Sequence, residues 1–363
     1  QRIELQPLSE EETGELVTAV LGGPLNPATT RQLWNVTRGN TLYLRHLVEQ
    51  GIASNRLATS PKAAGLSAGV WAWKGPPVIS PGLADLIDTQ IGELPQPVGT
   101  VLDFLAVGEP LTEQMLADLT DPDAVEQAHS IGLITVDQSG LHPVRLAHPL
   151  YGEVRRAVAT PLRLCRLRAQ VADALSSIDG TDLHDLVRRA VLTLESDLTP
   201  DPALLTTAAT AAQSMFDAEL AVRLCNAAIA NGAGYDAHLT LSRALTRLGR
   251  GEESEHVLTQ LITQSLTDEQ IVEVASHRLG PLLWILNRPA EAEAGLLDVR
   301  DTTSPQAHHS LTACHAIVRA YEGWPLNAVE AAERALRPPR LSESCTMWAL
   351  TSLLIALGDL GKT

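Results

Sequence analysis

The sequence predicts a mainly α-helical protein that consists of a helical bundle, a winged helix with a small β-hairpin, and an α-solenoid. Three observations predict this fold class. Apolar residues recur at helical spacing through most of the chain, several short helices precede a pair of strand patterns, and a turn segment recurs roughly every 35 residues in the second half. The 363 residues are enough for two or three domains that each bury a core.

The bundle is predicted at residues 1–55 and begins with a capped helix. Ser9 and Glu12 are spaced as a capping box, and Leu16, Val17 and Val20 follow on one face of this helix. A second helix is predicted at about residues 27–37.

The third predicted helix lies in "TRGNTLYLRHLVEQG", residues 37–51. Gly39 and Asn40 ease its start, and its apolar face comprises four residues, Leu42, Leu44, Leu47 and Val48. A linker with a short β-strand is predicted at residues 56–81, where "GVWAWKG" alternates and Trp71 and Trp73 pin the strand.

Residues 82–160 are predicted to form the winged helix, because helical segments are followed by the hairpin pattern "LITVDQSGLHPVRLAH" around Gly140. The expected recognition helix, "DAVEQAHSIGLI", carries Asp123 and Glu126, and no Lys or Arg occurs between Lys74 and Arg145. Carboxylates without nearby cations repel DNA phosphates, so we predict that this module packs against protein instead of reading DNA.

Helical repeats are predicted at residues 161–363. The segments "LGRGEESEHVL", "LNRPAEAEAGL" and "EGWPLNAVEAA" each form the turn of a helix pair, and the pattern is similar to tetratricopeptide repeats. The chain begins without methionine and ends at "GDLGKT" inside a repeat, so we expect it to be a fragment of a longer protein whose terminal repeat is truncated.

An arginine-rich segment, "VRLAHPLYGEVRRAVATPLRLCRLR", joins the winged helix to the repeats. It is either a solvated helical face or a contact for phosphate or an acidic partner, and the sequence leaves both open.

The overall composition excludes several classes of protein. The formal net charge of −16 argues against a generally basic nucleic-acid-binding surface. Four scattered cysteines lack C-x-x-C spacing, and no apolar run reaches the ~20 residues that span a bilayer, so we expect a cytoplasmic protein without metal or membrane association.

Two apparent catalytic motifs lack the context that their chemistry needs. "GLSAG" at residues 65–69 is not followed by a helix, as a nucleophile elbow would be, and "GKT" at residues 361–363 lacks the earlier glycine of a phosphate loop. We therefore predict that this chain is not an enzyme and has no catalytic residues.

The order of parts resembles the central region of the signalling ATPases called STAND proteins. More narrowly, "TRGNTLYLRHLVEQG", "GVWAWKGPPVISPGLADLI" and "RLAHPLYGEVRRAV" resemble the lid, linker and winged helix of the large ATP-binding LuxR-family regulators of actinobacteria. The resemblance identifies the bundle at residues 1–55 as the helical lid of the ATPase. It implies that ATP or ADP lies between a P-loop domain, the lid and the winged helix of the parent protein.

The resemblance also implies four nucleotide-contacting residues. Gly39, Asn40 and Thr41 fall on the lid motif that packs beside the adenine, with Thr41 where the family usually has proline. His148 falls on the winged-helix histidine that reaches the β-phosphate, with Pro149 in place of the usual aspartate. The alternative for His148 is a packed histidine at the end of a strand.

The resemblance implies a regulatory and sensor segment of a transcriptional regulator. The parent's P-loop domain would be one partner, an inducer or protein partner would bind the solenoid, and DNA would be bound only by a C-terminal helix-turn-helix absent from this chain. No cofactor is expected to bind tightly to this chain alone, because it has no P-loop motif. The alternatives are an interaction scaffold without nucleotide control, or part of a cyclase-fused signalling protein.

Overall fold

The computed structural model describes residues 6–59, 69–75, 81–137, 143–177, 182–263, 265–304, 307–337 and 340–361. The chain divides into two compact units; the first comprises residues up to 178 and Glu195–Asp197, and the second comprises the remainder. The described residues are predominantly helical with short strands, which confirms the predicted fold class. The turn at Gly140, residues 65–68 of "GLSAG" and residues 362–363 of "GKT" lie outside the described residues.

The first unit begins with a three-helix bundle. Its helices are α1 (Glu10–Leu21), α2 (Pro27–Thr37) and α3 (Thr41–Ala53). Ser9 and Glu12 form the predicted capping box of α1, and Asn26 and Asn40 cap α2 and α3 through their side chains. These caps satisfy backbone donors that a helix start leaves unpaired.

The buried face of α3 differs from the predicted face at one residue. Leu44, Leu47 and Val48 are buried as predicted, but Leu42 is 46% exposed and Tyr43 is buried instead. Residues 43, 44, 47 and 48 form one stripe of a 3.6-residue helix, and Leu42 lies beside that stripe.

An apolar groove lies between α1 and α3. Val17 is buried as predicted, whereas Leu16 and Val20 are 41% and 67% exposed and line this groove of about 370 Å³. All three residues line the same groove, so they share one face of α1 as predicted, although only Val17 of the three is buried.

Two short strands attach the linker to the bundle. Strand β1 (Leu57–Thr59) pairs antiparallel with β2 (Trp71–Trp73), which is the strand predicted from "GVWAWKG". Trp71 N–H donates to the Pro24 carbonyl oxygen at 2.8 Å. Trp73 packs so closely on Gly51 that an added Cβ there would lie 2.5 Å from the indole ring.

The rest of the first unit includes residues 82–160, where the winged helix is predicted, and the helix that follows them. The elements of this part are α4 (Pro81–Ile91), α5 (Gln96–Gly108), β3 (Leu111–Thr112), α6 (Glu113–Leu119), α7 (Pro122–Ser130), β4 (Ile134–Val136), β5 (Pro143–Leu146), α8 (Pro149–Val158) and α9 (Pro161–Ser176). Strands β4 and β5 form the predicted hairpin, and β3 joins them in the order β3-β5-β4. The two-residue strand β3 is too short for a sequence pattern to predict.

The domain boundaries predicted at residues 55, 81 and 160 stay predictions. In the structure, α9 packs on α5 and belongs to the first unit. Helix α8 contributes Leu150 and Val154 to the same core as Leu44 and Leu47 of α3. The bundle and α8 therefore share one continuous apolar core.

The second unit is a stack of helices that pack on their neighbours in sequence. They are α10 (Leu183–Leu194), α11 (Pro202–Ser214), α12 (Ala218–Ala230), α13 (Tyr235–Arg247), α14 (Gly251–Ile262), α15 (Asp268–Leu279), α16 (Pro289–Thr302), α17 (His308–Tyr321), α18 (Pro325–Ala335) and α19 (Glu343–Asp359). A π-helical segment, Gly280–Ile285, continues α15. Contacts confined largely to successive helices are characteristic of an α-solenoid.

A left-handed residue marks the turns predicted from the repeats. Gly249, Asn287, Gly323 and Gly361 all have φ between 54° and 81°, and they recur roughly every 37 residues. Phe216 occupies the corresponding place in the weaker earlier copy, with φ 62°. Within the described ranges, no helix is long and apolar enough to cross a bilayer.

Candidate functional site at the junction of the bundle and the winged helix

Gly39 lies in the tight turn between α2 and α3. Its φ is 76°, a conformation that glycine adopts without steric cost. Its carbonyl oxygen accepts a 3.0 Å hydrogen bond from Leu8 N–H, and an added Cβ would collide with the Leu8 backbone. The turn therefore requires glycine for local geometry, whatever else it contacts.

Asn40 is the N-cap of α3. Its Oδ1 accepts from Leu42 N–H at 3.0 Å and from Tyr43 N–H at 3.2 Å. Its own N–H donates to the Thr37 carbonyl oxygen at 3.0 Å. Thr41, the first residue of the helix, is exposed. Asn40 thus uses its side-chain oxygen and its backbone N–H within the fold.

His148 is the N-cap of α8 and also contacts the bundle. Its Nδ1 lies 3.2 Å from Leu150 N and its Nε2 lies 3.2 Å from the Thr37 carbonyl oxygen. Because a backbone N–H donates to Nδ1, that nitrogen accepts and Nε2–H is the donor to Thr37. The imidazole is therefore a neutral bridge between α8 and the end of α2.

The surroundings of His148 stabilise the neutral ring. Burial lowers the pKa of His148; the Thr37 hydrogen bond opposes this shift, and the Arg38 guanidinium adds to it. The ring packs edge-on against Tyr43, with centroids 5.0 Å apart, and against Tyr151 at 5.8 Å.

The structure therefore brings the four residues implied by the resemblance to one junction. Gly39, Asn40 and Thr41 are consecutive, and His148 reaches them through the Thr37 carbonyl, which also accepts from Asn40. No sequence motif indicates Thr37, because the group that takes part is its backbone carbonyl.

Glu109 is a second residue at this junction that the motifs did not reveal. Its carboxylate accepts from Leu146 N–H at 2.8 Å. Burial raises the pKa of Glu109, and three nearby arginines, Arg156, Arg145 and Arg38, lower it to a smaller extent. The only sequence signal is its position immediately before Pro110 and β3.

The arginine-rich segment is largely paired within the first unit. The Asp103 carboxylate is 3% exposed and binds the guanidinium groups of both Arg155 and Arg163. Arg156 pairs with Glu153 at 2.8 Å. Arg168 pairs with Glu195 at 3.4 Å, another contact within the first unit. Arg155 and Arg163 therefore tie α5, α8 and α9 together, and Arg156 also donates to the Ala106 carbonyl oxygen of α5.

The exposed side of α7 is acidic. Asp121, Asp123 and Glu126 are all exposed, and Asp123 and Glu126 line a surface cavity of about 690 Å³. Within the described part of the chain, no group of three or more His, Cys, Asp or Glu side chains is arranged to hold a metal ion.

Solved structures with similarity to this chain include one STAND protein. No protein-family model and no curated protein match the sequence. The solved structure is a STAND protein with a tetratricopeptide repeat sensor from Pyrococcus horikoshii, at 14% sequence identity and a TM-score of 0.40. The match covers 98% of this chain and 54% of that protein, so this chain spans about half of its length.

Proposed function

We propose that this chain is the regulatory and sensor segment of an ATP-dependent transcriptional regulator of the LuxR family, of the actinobacterial type. In this proposal, nucleotide state and an inducer or partner on the solenoid are coupled to DNA binding by a module outside the chain. The single observation that best supports it is the His148–Thr37 hydrogen bond. It joins the two segments to which the resemblance assigns nucleotide contacts.

The proposed division of labour follows from what phosphoryl transfer needs. Phosphate-loop amides, a lysine and bound Mg²⁺ supply the charge neutralisation, and a P-loop domain of the parent protein would carry them. This chain would add weak contacts from Gly39, Asn40, Thr41 and His148. It would not hydrolyse ATP by itself.

His148 suggests how nucleotide would act on this segment. Its Nε2–H donates to Thr37 here, and one N–H donor cannot make full hydrogen bonds to Thr37 and to a phosphate at once. Binding of a diphosphate to His148 would therefore exchange one acceptor for the other. A ligand that interacts differently with two arrangements shifts the equilibrium between them.

The acidic face of α7 supports a DNA-binding module elsewhere in the parent protein. Asp121, Asp123 and Glu126 would approach DNA phosphates without a cation on the same helix. We infer that the winged helix is a protein-packing arm, and that a basic helix-turn-helix outside this chain binds promoters.

The second candidate function is an interaction scaffold without nucleotide control. The observation in its favour is that the junction already satisfies its own polar groups: Asn40 caps α3, and His148 bridges Leu150 and Thr37. A site that only stabilises the fold needs no ligand.

Nucleotide titration separates the two functions. Calorimetry of this chain alone with ADP and Mg²⁺ should show no sub-micromolar site, whereas the chain joined to the parent's P-loop domain should bind ADP tightly. His148→Ala should weaken that binding about tenfold, as expected for loss of one charge-assisted hydrogen bond. His184→Ala, which removes an exposed histidine of the second unit, serves as the matched control.

Two results would contradict the regulatory proposal. Sub-micromolar ADP binding by this chain alone would place the phosphate site here and not in a separate domain. Equal ADP affinity of the His148 and His184 variants would favour the scaffold. Gel shifts with random duplex DNA at physiological salt should be blank, and a salt-sensitive complex would make the winged helix a DNA reader.

A further inference from the structure

A polar groove lies on the second unit, across helices α16, α17 and α18. Helix α17 packs against both of the other two, so that one row of side chains from each helix faces the same space. The cavity measures about 540 Å³. Pockets of ~300–1,000 Å³ are the size that small molecules occupy in proteins.

The groove contains more unpaired positive than negative charge. Arg319 binds Glu293 at 2.7 Å and Glu322 at 2.9 Å, so this lining arginine is neutralised. Arg300 and Arg334 also line the groove, are exposed, and form no ion pair with any described residue. Such a surplus stands out in a chain whose formal net charge is −16.

Two histidines also line the same groove. His315 Nδ1 lies 3.2 Å from the Glu293 carboxylate, and its Nε2 is buried without a hydrogen-bond partner among the described atoms. His308 Nε2 lies 2.9 Å from the Arg300 carbonyl oxygen, which fixes its ring between α16 and α17. Because Nδ1–H of His315 donates to the Glu293 carboxylate, Nε2 of this tautomer is an acceptor. A buried polar nitrogen without a partner is unfavourable, and a hydroxyl group of a bound ligand would relieve that cost by donating to it.

We propose that this groove binds a small organic anion, either a carboxylate or a phosphate ester, between Arg300 and Arg334. A guanidinium group binds two oxygens of a carboxylate, or two oxygens of a phosphate, through paired N–H donors. Glu330, the remaining carboxylate of the groove, has no ion pair with a described residue. Its negative charge repels an anion, so it weakens binding more for a ligand of higher negative charge. The role of this anion as the inducer rests on the proposed function, whereas its binding does not.

Titration of this chain with inorganic phosphate, and separately with succinate, tests the site at low ionic strength without nucleotide. Saturable binding of at least one probe is expected, at about 1 mM as the scale for so small a ligand. Replacing both arginines (Arg300→Gln with Arg334→Gln) should weaken it by more than about tenfold. Arg337→Gln removes an exposed arginine of the same helix end that does not line the groove, and it should leave affinity unchanged.

A variant that binds the probes more tightly shows that the weaker binding of the arginine variants does not come from misfolding. Glu330→Gln removes the unpaired carboxylate and should strengthen binding of both probes, while the thermal unfolding midpoints of all variants stay close to that of the parent chain. Phosphate binding alone indicates a phosphate ester, and succinate binding alone indicates a carboxylate.

Absence of saturable binding for both probes would overturn the proposal. An equal loss in the Arg337 variant would do the same. Neither result alters the ADP experiments, which depend on the first unit. A groove that binds anions in a protein without nucleotide control would be the ligand site of a scaffold.

Discussion

Replacement of His148 tests whether its ring holds α8 to the bundle. His148→Ala removes the cap on Leu150 N–H, the hydrogen bond to Thr37, and the edge-on contact with Tyr43. A lost N-cap costs about 1 kcal/mol, a lost hydrogen bond about 1 kcal/mol, and an aromatic contact about 0.5–1.5 kcal/mol. We therefore expect the free energy of unfolding of the first unit to fall by about 3 kcal/mol.

A second substitution separates the cap from the bridge. Asn is a favoured N-cap, so His148→Asn should keep the bond to Leu150 N–H while losing the bond to Thr37 and the ring contact. The expected loss is about 1 kcal/mol smaller than for alanine. Urea unfolding followed by circular dichroism measures both values.

The pH dependence gives a third readout of the same residue. Burial lowers the pKa of His148, so the unfolded chain binds the proton more readily than the folded chain. Its contribution to stability is therefore complete above the unfolded pKa of about 6.5 and declines as the pH falls below it. Wild-type protein should lose more stability between about pH 7.5 and pH 5.5 than either variant.

Two results would refute this account of His148. A cost below about 0.5 kcal/mol for His148→Ala would mean that neither hydrogen bond contributes net stability. The same pH dependence in wild type and variants would mean that His148 titrates alike in the folded and unfolded chain.

Four further predictions concern other residues. Gly39→Ala should destabilise the first unit by about 3 kcal/mol, because it combines left-handed strain with a backbone collision. Gly22 also has a left-handed φ, of 65°, but nothing lies within 4 Å of an added Cβ there. Gly22→Ala should therefore cost only about 1 kcal/mol when both variants are unfolded in urea. Phe216→Gly should stabilise the second unit by about 1 kcal/mol in thermal unfolding, since Phe216 is 90% exposed at φ 62°; destabilisation would show that its ring packs. Asp103→Asn should cost about 3 kcal/mol by leaving two arginine partners uncompensated, and a cost under about 1 kcal/mol would show that water replaces the carboxylate. Burial lowers the pKa of His277 to about 4, so the second unit should lose stability as the pH falls from about 6.5 towards 4, and His277→Gln should flatten that curve.

The neutral state of His277 follows from its nearest neighbours. Arg243 lies 2.8 Å from His277 Nε2, and the Glu273 carboxylate lies 3.9 Å from the same atom. The carboxylate alone would favour the imidazolium. Burial and the closer guanidinium outweigh it, because a donor at hydrogen-bond distance requires a lone pair on Nε2.

Local features of the fold could be predicted from the sequence. Ser9 with Glu12, and Asn40 before an apolar run, are caps whose geometry depends only on residues within one helical turn. The repeat turns could be predicted for the same reason, since a residue such as Gly249 supplies its left-handed conformation locally.

Features that depend on distant neighbours could not be predicted. Tyr43 is buried in a core that includes Leu150 of α8, and His148, more than a hundred residues later in the sequence, packs on its ring. Asp103 is the one charge in an apolar helix, but nothing near it in sequence identifies Arg155 and Arg163 as its partners. The resemblance implies the four residues of the candidate site, but nothing in the sequence indicates the Thr37 carbonyl, which accepts hydrogen bonds from both Asn40 and His148.

The packing of the first unit constrains how a nucleotide signal would pass through it. Leu150 and Val154 of α8 lie in the core of the bundle, so separating α8 from α3 would expose buried apolar surface. Asp103 joins α5 to α8 and α9, and separating those helices would leave a buried carboxylate unpaired. Both costs far exceed the exchange of one His148 hydrogen bond between acceptors. We therefore expect the first unit to respond as one body, with displacement occurring between it and the proposed P-loop domain and not within it.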